Sequence, residues 1–484
     1  MLLKNLERNF ELVAVGLILI FAIAVRIVTP PYQVADEINH FARAWQISEG
    51  KFLSETAQVR AIERGDNPTT KDQVRWSCRG QKVTLNAEDE KFFVAETPRS
   101  MMPSEFVLDV VNKFHAINFD AMKKFLSAPL NLDATEWHLI PNTGSYSPPA
   151  YFPQAVTAFI GRQLNLTAGT IYYAMSLSAL IFAATCVYLS MKLLPEKKLL
   201  IFLLASMPMF LIEVASISAD AVIYGVCFLS TAWILSLRKI SARITVAEIF
   251  GLIILSIALG LLKQVYGAIL LLYFLIPRER FKSTAKFIGT GIFLLATELL
   301  VSTAWIYVSS DFGQIPLFTG FYMGLDGIDV AAQKNFILTH PTEFFIAFLK
   351  TLAHPDIWFA KTFFGVLGIV NVYFPKIFYV GCAAVLIIAA SFGKLRLSLI
   401  ERLIMLFAAF ITALGIFAVE YLVWSPVGAD VIAGVQGRYF IPIALLTLSS
   451  LSLFEPPKFA NFFALLIGIF CAASTVCITF SRFY

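Results

Sequence analysis

Residues 10–28 read FELVAVGLILIFAIAVRIV and are apolar except for Glu11 and Arg26 near the two ends. A helix needs about 20 mostly apolar residues to cross the hydrocarbon core of a bilayer. The segment therefore predicts a first membrane span. No small-residue pattern of the kind at which signal peptides are cleaved follows it, so we expect it to be a retained signal anchor.

The composition of the whole chain extends this interpretation. Its 484 residues are 58% hydrophobic and only 15% charged, whereas soluble chains are about 45–50% apolar and about 25% charged. The candidate spans are 10–28, 169–191, 199–214, 219–237, 246–262, 265–277, 287–308, 372–391, 403–423, 439–454 and 459–480. We predict an all-α polytopic membrane protein with a single transmembrane domain over residues 1–484. The modest net charge of +5 gives no indication of nucleic-acid binding.

Lys and Arg in the short loops set the predicted orientation, because loops rich in these residues face the cytoplasm. The basic loops are 192–198, 238–243, 278–286 and 394–402. The alternate connections 215–218 and 425–437 contain neither Lys nor Arg. One orientation fits all of these loops: the N-terminus is cytoplasmic, about eleven spans follow, and the C-terminus lies outside.

That orientation places two long segments outside the cytoplasm, 29–166 and 310–371. In the first, residues 35–49 have apolar side chains at helical spacing and predict a helix, and 106–125 predict a surface helix. In the second, residues 341–365 alternate apolar and polar side chains, as expected of an amphipathic helix in the membrane interface. We therefore predict a long first extracytoplasmic loop that bears interfacial helices.

The first outer segment contains two adjacent carboxylates, Asp36 and Glu37, with His40 and Arg43 following at helical spacing. One carboxylate is enough to cap the N-terminus of the expected helix. The second carboxylate is then left without a structural explanation, which makes the pair a candidate catalytic site. Asp36 is the favoured catalytic residue, with Glu37 close behind.

Charged side chains within the predicted spans gather towards the same outer ends. Each such charge costs at least about 2.5–3.5 kcal/mol on insertion scales. The set comprises Glu213, Asp220, Lys263, Glu420 and Arg438. Purely structural roles are available to them, because cations can snorkel to lipid headgroups, glutamates can pair with those cations, and an aspartate can begin a helix. A polar cavity that opens outwards would solvate the whole set.

This combination suits transfer onto a hydroxyl from a lipid-phosphate donor. A carboxylate can act as the general base on the incoming hydroxyl, and a Lys or Arg can bind the donor phosphate. Lys263 and Arg438 are the candidates for that second role. The sequence contains no competing Gly-rich phosphate loop, metal-ligand cluster or Ser-His-Asp arrangement. The acidic residues could hold a divalent metal ion, although no spacing requires one.

Several motifs resemble those of a known family. They are Pro30-Pro31, Asp36-Glu37-Ile-Asn-His40-Phe41-Ala-Arg43, Tyr146-Ser-Pro148-Pro149-Ala-Tyr151-Phe-Pro153, Ser216-Ile-Ser-Ala-Asp220, Lys263-Gln-Val-Tyr266 and Gln436-Gly437-Arg438-Tyr439-Phe-Ile-Pro442. The chain resembles a bacterial polytopic family known only as a domain of unknown function, which is similar to the GT-C class of polyprenyl-phosphate-dependent glycosyltransferases. The resemblance implies a GT-C-like bundle in the bacterial cytoplasmic membrane, an active site facing outwards, and a first-loop acidic residue as base. The chain departs from the family pattern at Ile369 and Asn371, where Trp and Asp are expected.

The favoured function is a glycosyltransferase that moves a sugar from a polyprenyl-phosphate donor to an extracytoplasmic glycan, lipid or cell-wall polymer. We expect membrane lipids to surround the protein. The candidates for substrate binding are His40, Arg43, Tyr146, Tyr151, Asp220, Tyr266, Gln436 and Tyr439. The alternatives are a transporter or flippase of a lipid-linked sugar and a structural partner of a polysaccharide assembly complex. A transport path would carry polar residues along the whole depth of the spans, whereas their inner halves here are almost purely apolar.

Overall fold

The computed structural model describes residues 8–58, 91–102, 117, 119–310, 327–354, 358–393 and 395–484. The α-helices of these residues are α1 Phe10–Val28, α2 Glu37–Ser48, α3 Phe119–Ser127, α4 Phe152–Gln163, α5 Ala168–Leu193, α6 Lys198–Ala205, α7 Pro208–Val214, α8 Asp220–Leu237, α9 Val246–Leu262, α10 Thr284–Ser309, α11 Val330–Thr339, α12 Pro341–Leu352, α13 Trp358–Phe364, α14 Lys376–Ser391, α15 Leu399–Trp424, α16 Ile441–Ser449 and α17 Ala460–Phe483. Five 3₁₀-helices connect them, at Pro148–Tyr151, Pro195–Lys197, Gln264–Leu275, Arg278–Arg280 and Gly437–Phe440.

Within the described residues, 6 helices are long and apolar enough to cross a membrane, namely α1, α5, α8, α10, α15 and α17. In α8, 72% of the apolar window is buried inside the protein, against 22% in α10. Helix α8 therefore lies at the centre of the bundle and α10 at its periphery. The prediction of a helical multi-pass membrane protein is confirmed, while the count of eleven spans stays a prediction.

The predicted spans 199–214 and 265–277 are among those that differ in detail from the structure. The segment 199–214 is divided into α6 and α7 at Pro208, because proline has no N–H for the helix ladder and its ring clashes with the preceding turn. The segment predicted at 265–277 is a 3₁₀-helix of 12 residues. At a rise of about 2.0 Å per residue it extends roughly 24 Å, against about 18 Å for an α-helix of the same length.

The first long loop contains a small antiparallel sheet that the sequence did not predict. Its strands are β1 Glu55–Gln58, β2 Lys91–Pro98 and β3 Thr135–Leu139, with β2 in the centre. Phe93, Ala95 and Ile140 form a buried cluster with Ala42 of α2, so the sheet packs on that helix. The strands are short and far apart in sequence, which explains why no periodicity revealed them.

The helices predicted in the outer segments are present in modified form. The helix expected at 35–49 is α2, and of the one expected at 106–125 only the end is described, as α3. The amphipathic stretch 341–365 comprises α12 and α13, with residues 355–357 outside the described part. Helix α12 buries Phe344 and Phe348 and exposes Phe345 and Leu349.

The basic loops lie at the end of the bundle opposite to the outer segments. Capped helix N-termini stabilise this end. Thr245 and Glu248 form a capping box at the start of α9, and Glu248 also accepts a hydrogen bond of 2.8 Å from Arg280. Ser398 and Glu401 form a second capping box at the start of α15, and Glu401 pairs with Arg238. These glutamates satisfy free backbone N–H groups and neutralise arginines at the same time.

Candidate active site

One cavity of about 680 Å³ lies where the ends of α8, α9, α10 and α15 meet the segment before α2. Its charged lining residues are Asp36, Glu37, Asp220, Lys263, Glu420 and Arg438. Its aromatic lining residues are Tyr32, Tyr146, Trp305, Trp358, Trp424 and Tyr439. The charges that the sequence places at the ends of separate spans therefore face one shared space.

Asp36 is held on one side and open on the other. It occupies the N-cap position of α2 with a φ of 62°, an uncommon left-handed conformation that aspartate tolerates better than most residues. Its side chain makes no capping bond. Instead, Oδ1 accepts a hydrogen bond of 3.0 Å from Asn142 and Oδ2 accepts one of 2.6 Å from Arg438. The side chain is 37% exposed, so the fixed carboxylate remains accessible from the cavity.

The ionisation of Asp36 and His40 is set by their surroundings. Burial raises the pKa of Asp36, but Arg438, His40 and the two hydrogen bonds together hold it below its ordinary value. Burial lowers the pKa of His40 to about 4, and its Nδ1 lies 2.6 Å from the hydroxyl oxygen of Tyr151. At neutral pH the cavity therefore contains an aspartate anion beside a neutral imidazole.

Arg438 bridges two carboxylates. Its Nη2 donates to Asp36 and its Nη1 donates to Glu213 at 2.9 Å, and the residue is only 4% exposed. The preceding Gly437 lets the chain approach α13 closely, because a Cβ at this position would overlap the Phe359 carbonyl oxygen. The sequence suggests Arg438 as a phosphate ligand, but the structure commits two of its donor nitrogens to carboxylates. Its geometry is that of a residue that positions Asp36.

Glu37 points away from Asp36 into the protein. Its Oε1 accepts hydrogen bonds from Arg26 at 2.7 Å and from the backbone N–H of Ile217 at 3.1 Å. Arg26 also donates to the carbonyl oxygens of Thr29 and Pro30 at the end of α1. Glu37 is 1% exposed, and its Oε2 has no hydrogen-bond partner among the described residues. This carboxylate therefore links α1 to the α7–α8 connection and is less accessible than Asp36.

Lys263 follows the last residue of α9 and points into the cavity. Its Nζ lies 4.8 Å from the ring centre of Tyr439 and 6.0 Å from that of Tyr146. In the described part of the chain, no carboxylate oxygen lies within 4.0 Å of this ammonium. An ammonium without an ion pair, next to the carbonyl end of a helix, can bind a phosphate oxygen without breaking a salt bridge.

Three further acidic residues occupy different surroundings. Asp220 begins α8, where the helix dipole favours a carboxylate, and it lines the cavity. Glu420 lines the cavity from α15, close to the end of that helix. Glu298 of α10 is absent from the cavity lining and packs against Gly267 of the 3₁₀-helix.

The other sequence candidates divide into two groups. His40, Tyr146, Gln436 and Tyr439 line the cavity. Arg43, Tyr151 and Tyr266 lie behind its wall and are 0%, 0% and 2% exposed. Arg43 donates hydrogen bonds to the backbone carbonyl oxygens of Tyr146, Lys51 and Phe52. The Tyr266 hydroxyl donates one to the backbone carbonyl oxygen of Tyr439. These three side chains therefore pack behind the cavity wall and do not line the cavity.

Several lining residues are not among the candidates that the sequence predicts. They are Asn142, Trp305, Trp358 and Trp424. Tryptophans near span ends are common at the membrane interface and give no separate signal for a cavity. Asn142 donates a hydrogen bond to Asp36, although the two residues are 106 positions apart in the sequence. A local sequence pattern cannot predict such a contact.

The buried histidines predict a loss of stability in acid. Burial lowers the pKa of His40 and of His138 from 6.5 to about 4. Between these values the unfolded chain binds more protons than the folded one, so the stabilisation is complete above pH 6.5 and is lost as the pH falls towards 4. Each histidine contributes up to about 3 kcal/mol. Thermal unfolding in detergent at a series of pH values should show this loss.

The double variant His40→Gln/His138→Gln should have a flatter dependence of unfolding temperature on pH in this range. The matched control is His340→Gln, since His340 is exposed. An unchanged pH dependence in the double variant would contradict the assignment.

The helical bundle and its end cavity define a polytopic α-helical membrane protein with a polar pocket among its helix ends. Residues 19–447 match the family described as predicted membrane protein (DUF2142). The chain belongs to this family, whose function is unknown. Comparison with curated proteins and with solved structures gave no significant match.

Proposed function

We propose that the protein is a GT-C-type glycosyltransferase that moves a sugar from a polyprenyl-phosphate donor to a hydroxyl group of a glycan, lipid or cell-wall polymer. The observation that carries this proposal is the Asp36 carboxylate. It is anchored by Arg438 and Asn142, remains open to the cavity, and shares that cavity with the ammonium of Lys263.

The chemistry assigns one role to each of these groups. The hydroxyl oxygen of the acceptor attacks the anomeric carbon, and Asp36 takes the proton of that hydroxyl. The bond between the anomeric carbon and the phosphate oxygen breaks, and the polyprenyl phosphate leaves with the electron pair. Lys263 balances the charge on the leaving phosphate, while Arg438 holds Asp36 in place.

The location of the cavity favours a lipid-linked donor. In the proposed eleven-span arrangement, the basic loops face the cytoplasm of a bacterium and the cavity opens on the other side of the membrane. Nucleotide sugars are generally unavailable there, so the activated donor in this proposal is a lipid-linked sugar. The charged lining residues lie at or close to the ends of α8, α9 and α15. This distribution argues against a polar transport path through the bundle.

The direct test is a transfer assay with the purified protein in lipid nanodiscs. A panel of synthetic polyprenyl-phosphate sugars is supplied together with candidate acceptors, and the release of polyprenyl phosphate is measured. We expect release that requires both an acceptor and the protein. Transbilayer movement of the donor in vesicles, with no donor consumed, would replace this proposal with the flippase alternative.

Substitution of Lys263 should weaken donor binding selectively. Lys263→Gln removes a charge-assisted contact worth about 1.5–3 kcal/mol, which corresponds to a KM for the donor raised roughly 10- to 100-fold. The unfolding temperature should change little, because no ion pair to a described residue is lost. The control is Lys334→Gln on the exposed surface of α11. An unchanged donor KM for Lys263→Gln would remove the phosphate role from this residue.

A further inference from the structure

The cavity and its ion pairs contain more carboxylates than cations. The carboxylates are Asp36, Glu37, Asp220 and Glu420 in the lining, with Glu213 bonded to Arg438 behind them. The cations are Arg26, Lys263 and Arg438. Arg26 neutralises Glu37, and Arg438 is shared between Asp36 and Glu213. Of these three cations, Lys263 is left to balance the charges of two carboxylates, Asp220 and Glu420.

A phosphate donor would make this imbalance larger. Uncompensated charge in a low-dielectric site is costly, so either the carboxylates are neutral or a ligand brings positive charge. An acidic excess alone does not locate that ligand. The side chain of Glu420 supplies the location.

Glu420 is a buried residue in the wall of the cavity. The residue is 8% exposed and lines the cavity, and its Oε2 has no hydrogen-bond partner among the described residues. No cation of the described chain lies within 4.0 Å of it. A buried carboxylate that nothing in its surroundings satisfies is a binding group available to a ligand.

Trp424 shares this position with Glu420. The two residues are four apart in α15, so they lie on one face of the helix, and both line the cavity. Gly434, with a φ of 80°, brings the backbone of the following loop into contact with both side chains. A Cβ at Gly434 would lie 2.7 Å from Oε2 of Glu420 and 2.6 Å from Cγ of Trp424. Gly434 therefore packs directly against both the carboxylate and the indole and holds them side by side in the wall of the cavity.

We propose that Glu420 and Trp424 form a subsite for an ammonium group, namely the free amino group of an amino sugar. The carboxylate accepts a charge-assisted hydrogen bond from the ammonium, and the indole offers a cation–π contact. One carboxylate beside an aromatic ring is enough for an ammonium, whereas Ca²⁺ and Mg²⁺ take six or more oxygen ligands and Zn²⁺ takes four ligands in most protein sites. A neutral hydroxyl would leave the acidic excess uncorrected. Assigning the amine to a sugar substrate rests on the proposed glycosyltransferase function.

A binding measurement tests the subsite without relying on transfer. The probes are methyl glucosaminide and its N-acetylated form, titrated by calorimetry into the full chain in nanodiscs, in a buffer that contains EDTA to remove divalent metal ions. We expect the free amine to bind at least about 10-fold more tightly than the acetylated sugar. Glu420→Gln should weaken binding of the amine roughly 10- to 100-fold and leave that of the acetylated sugar unchanged. The control is Glu343→Gln on the exposed side of α12.

Equal affinity of the two sugars for the wild-type protein would overturn the subsite, as would an unaltered preference in Glu420→Gln with a normal elution profile. A preference that appears only when divalent ions are added would assign the site to a metal. Glu420→Asp keeps the charge and should retain part of the preference, which separates binding from misfolding.

The transfer assay distinguishes this failure from failure of the proposed function. Transfer that is equally fast from donors and acceptors with and without a free amine would overturn the subsite and leave the glycosyltransferase proposal standing. Preferential binding of the amine with no transfer from any lipid donor would do the reverse. Comparison of amino donors with amino acceptors then shows which substrate supplies the ammonium.

Discussion

Asp36→Asn should lower the rate of sugar transfer by about 10²- to 10⁴-fold, the usual contribution of a positioned general base. The asparagine keeps the shape of the side chain and one oxygen that can accept the hydrogen bond from Arg438. It has no negative charge with which to take the proton of the incoming hydroxyl. The initial rate of polyprenyl phosphate release, with donor and acceptor in excess, measures the effect on the chemical step.

Two variants make this result specific. Asp133→Asn changes an exposed aspartate in the same long loop and should leave the rate unchanged. Glu37→Gln removes the negative charge that neutralises Arg26 and should reduce the amount of folded protein while leaving kcat of the folded fraction intact. Full turnover of Asp36→Asn in a folded protein would exclude Asp36 as the base. A rate loss confined to Glu37→Gln would transfer that role to Glu37.

Arg438→Met should have the largest effect on stability, a loss of about 3–5 kcal/mol. Glu213, which is 1% exposed, would remain buried without its cation, and Asp36 would lose its anchor. Thermal unfolding in detergent and the yield of monodisperse protein report the loss. The matched control is Arg278→Met, because the side chain of Arg278 is 68% exposed.

The double variant Arg438→Met/Glu213→Gln tests the physical cause. Removing the orphaned carboxylate together with the guanidinium should recover part of the lost stability, since the two changes are coupled through a direct contact. No recovery would show that packing of Arg438, and not its charge, stabilises the site. Normal stability with weakened donor binding in Arg438→Met would instead support the direct phosphate role that the sequence suggested.

Local features of the sequence were sufficient for much of this description. Apolar length revealed the helical membrane body, helical spacing revealed α2, and the charges at the span ends indicated a shared polar space that includes Asp36 and Lys263. These properties depend on residues close together in the chain. The break at Pro208 could also have been predicted, because the proline stands in the middle of a span.

Partnerships between distant residues could not be predicted in this way. The sequence left open which carboxylate is structural, and the answer depends on Arg26 lying against Glu37 while Arg438 lies against Asp36. Arg43, Tyr151 and Tyr266 belong to the same sequence motifs as residues that line the cavity. Their own side chains are buried behind the cavity wall. Tertiary packing determines which side of a loop faces a cavity. The spacing of residues along the sequence does not predict it.

The bond between Asp36 and Arg438 joins residues 402 positions apart in the chain. At about 5–20 residues per second, a ribosome needs roughly 20–80 seconds to reach the second after making the first. Arg26 and Glu37 are only 11 positions apart, so this pair can form early in biosynthesis. Asp36 and Glu213 must wait for their cation until the last helices are being inserted. A nascent chain that stops before Arg438 would therefore keep Asp36 and Glu213 without the guanidinium to which both carboxylates bond in the folded protein.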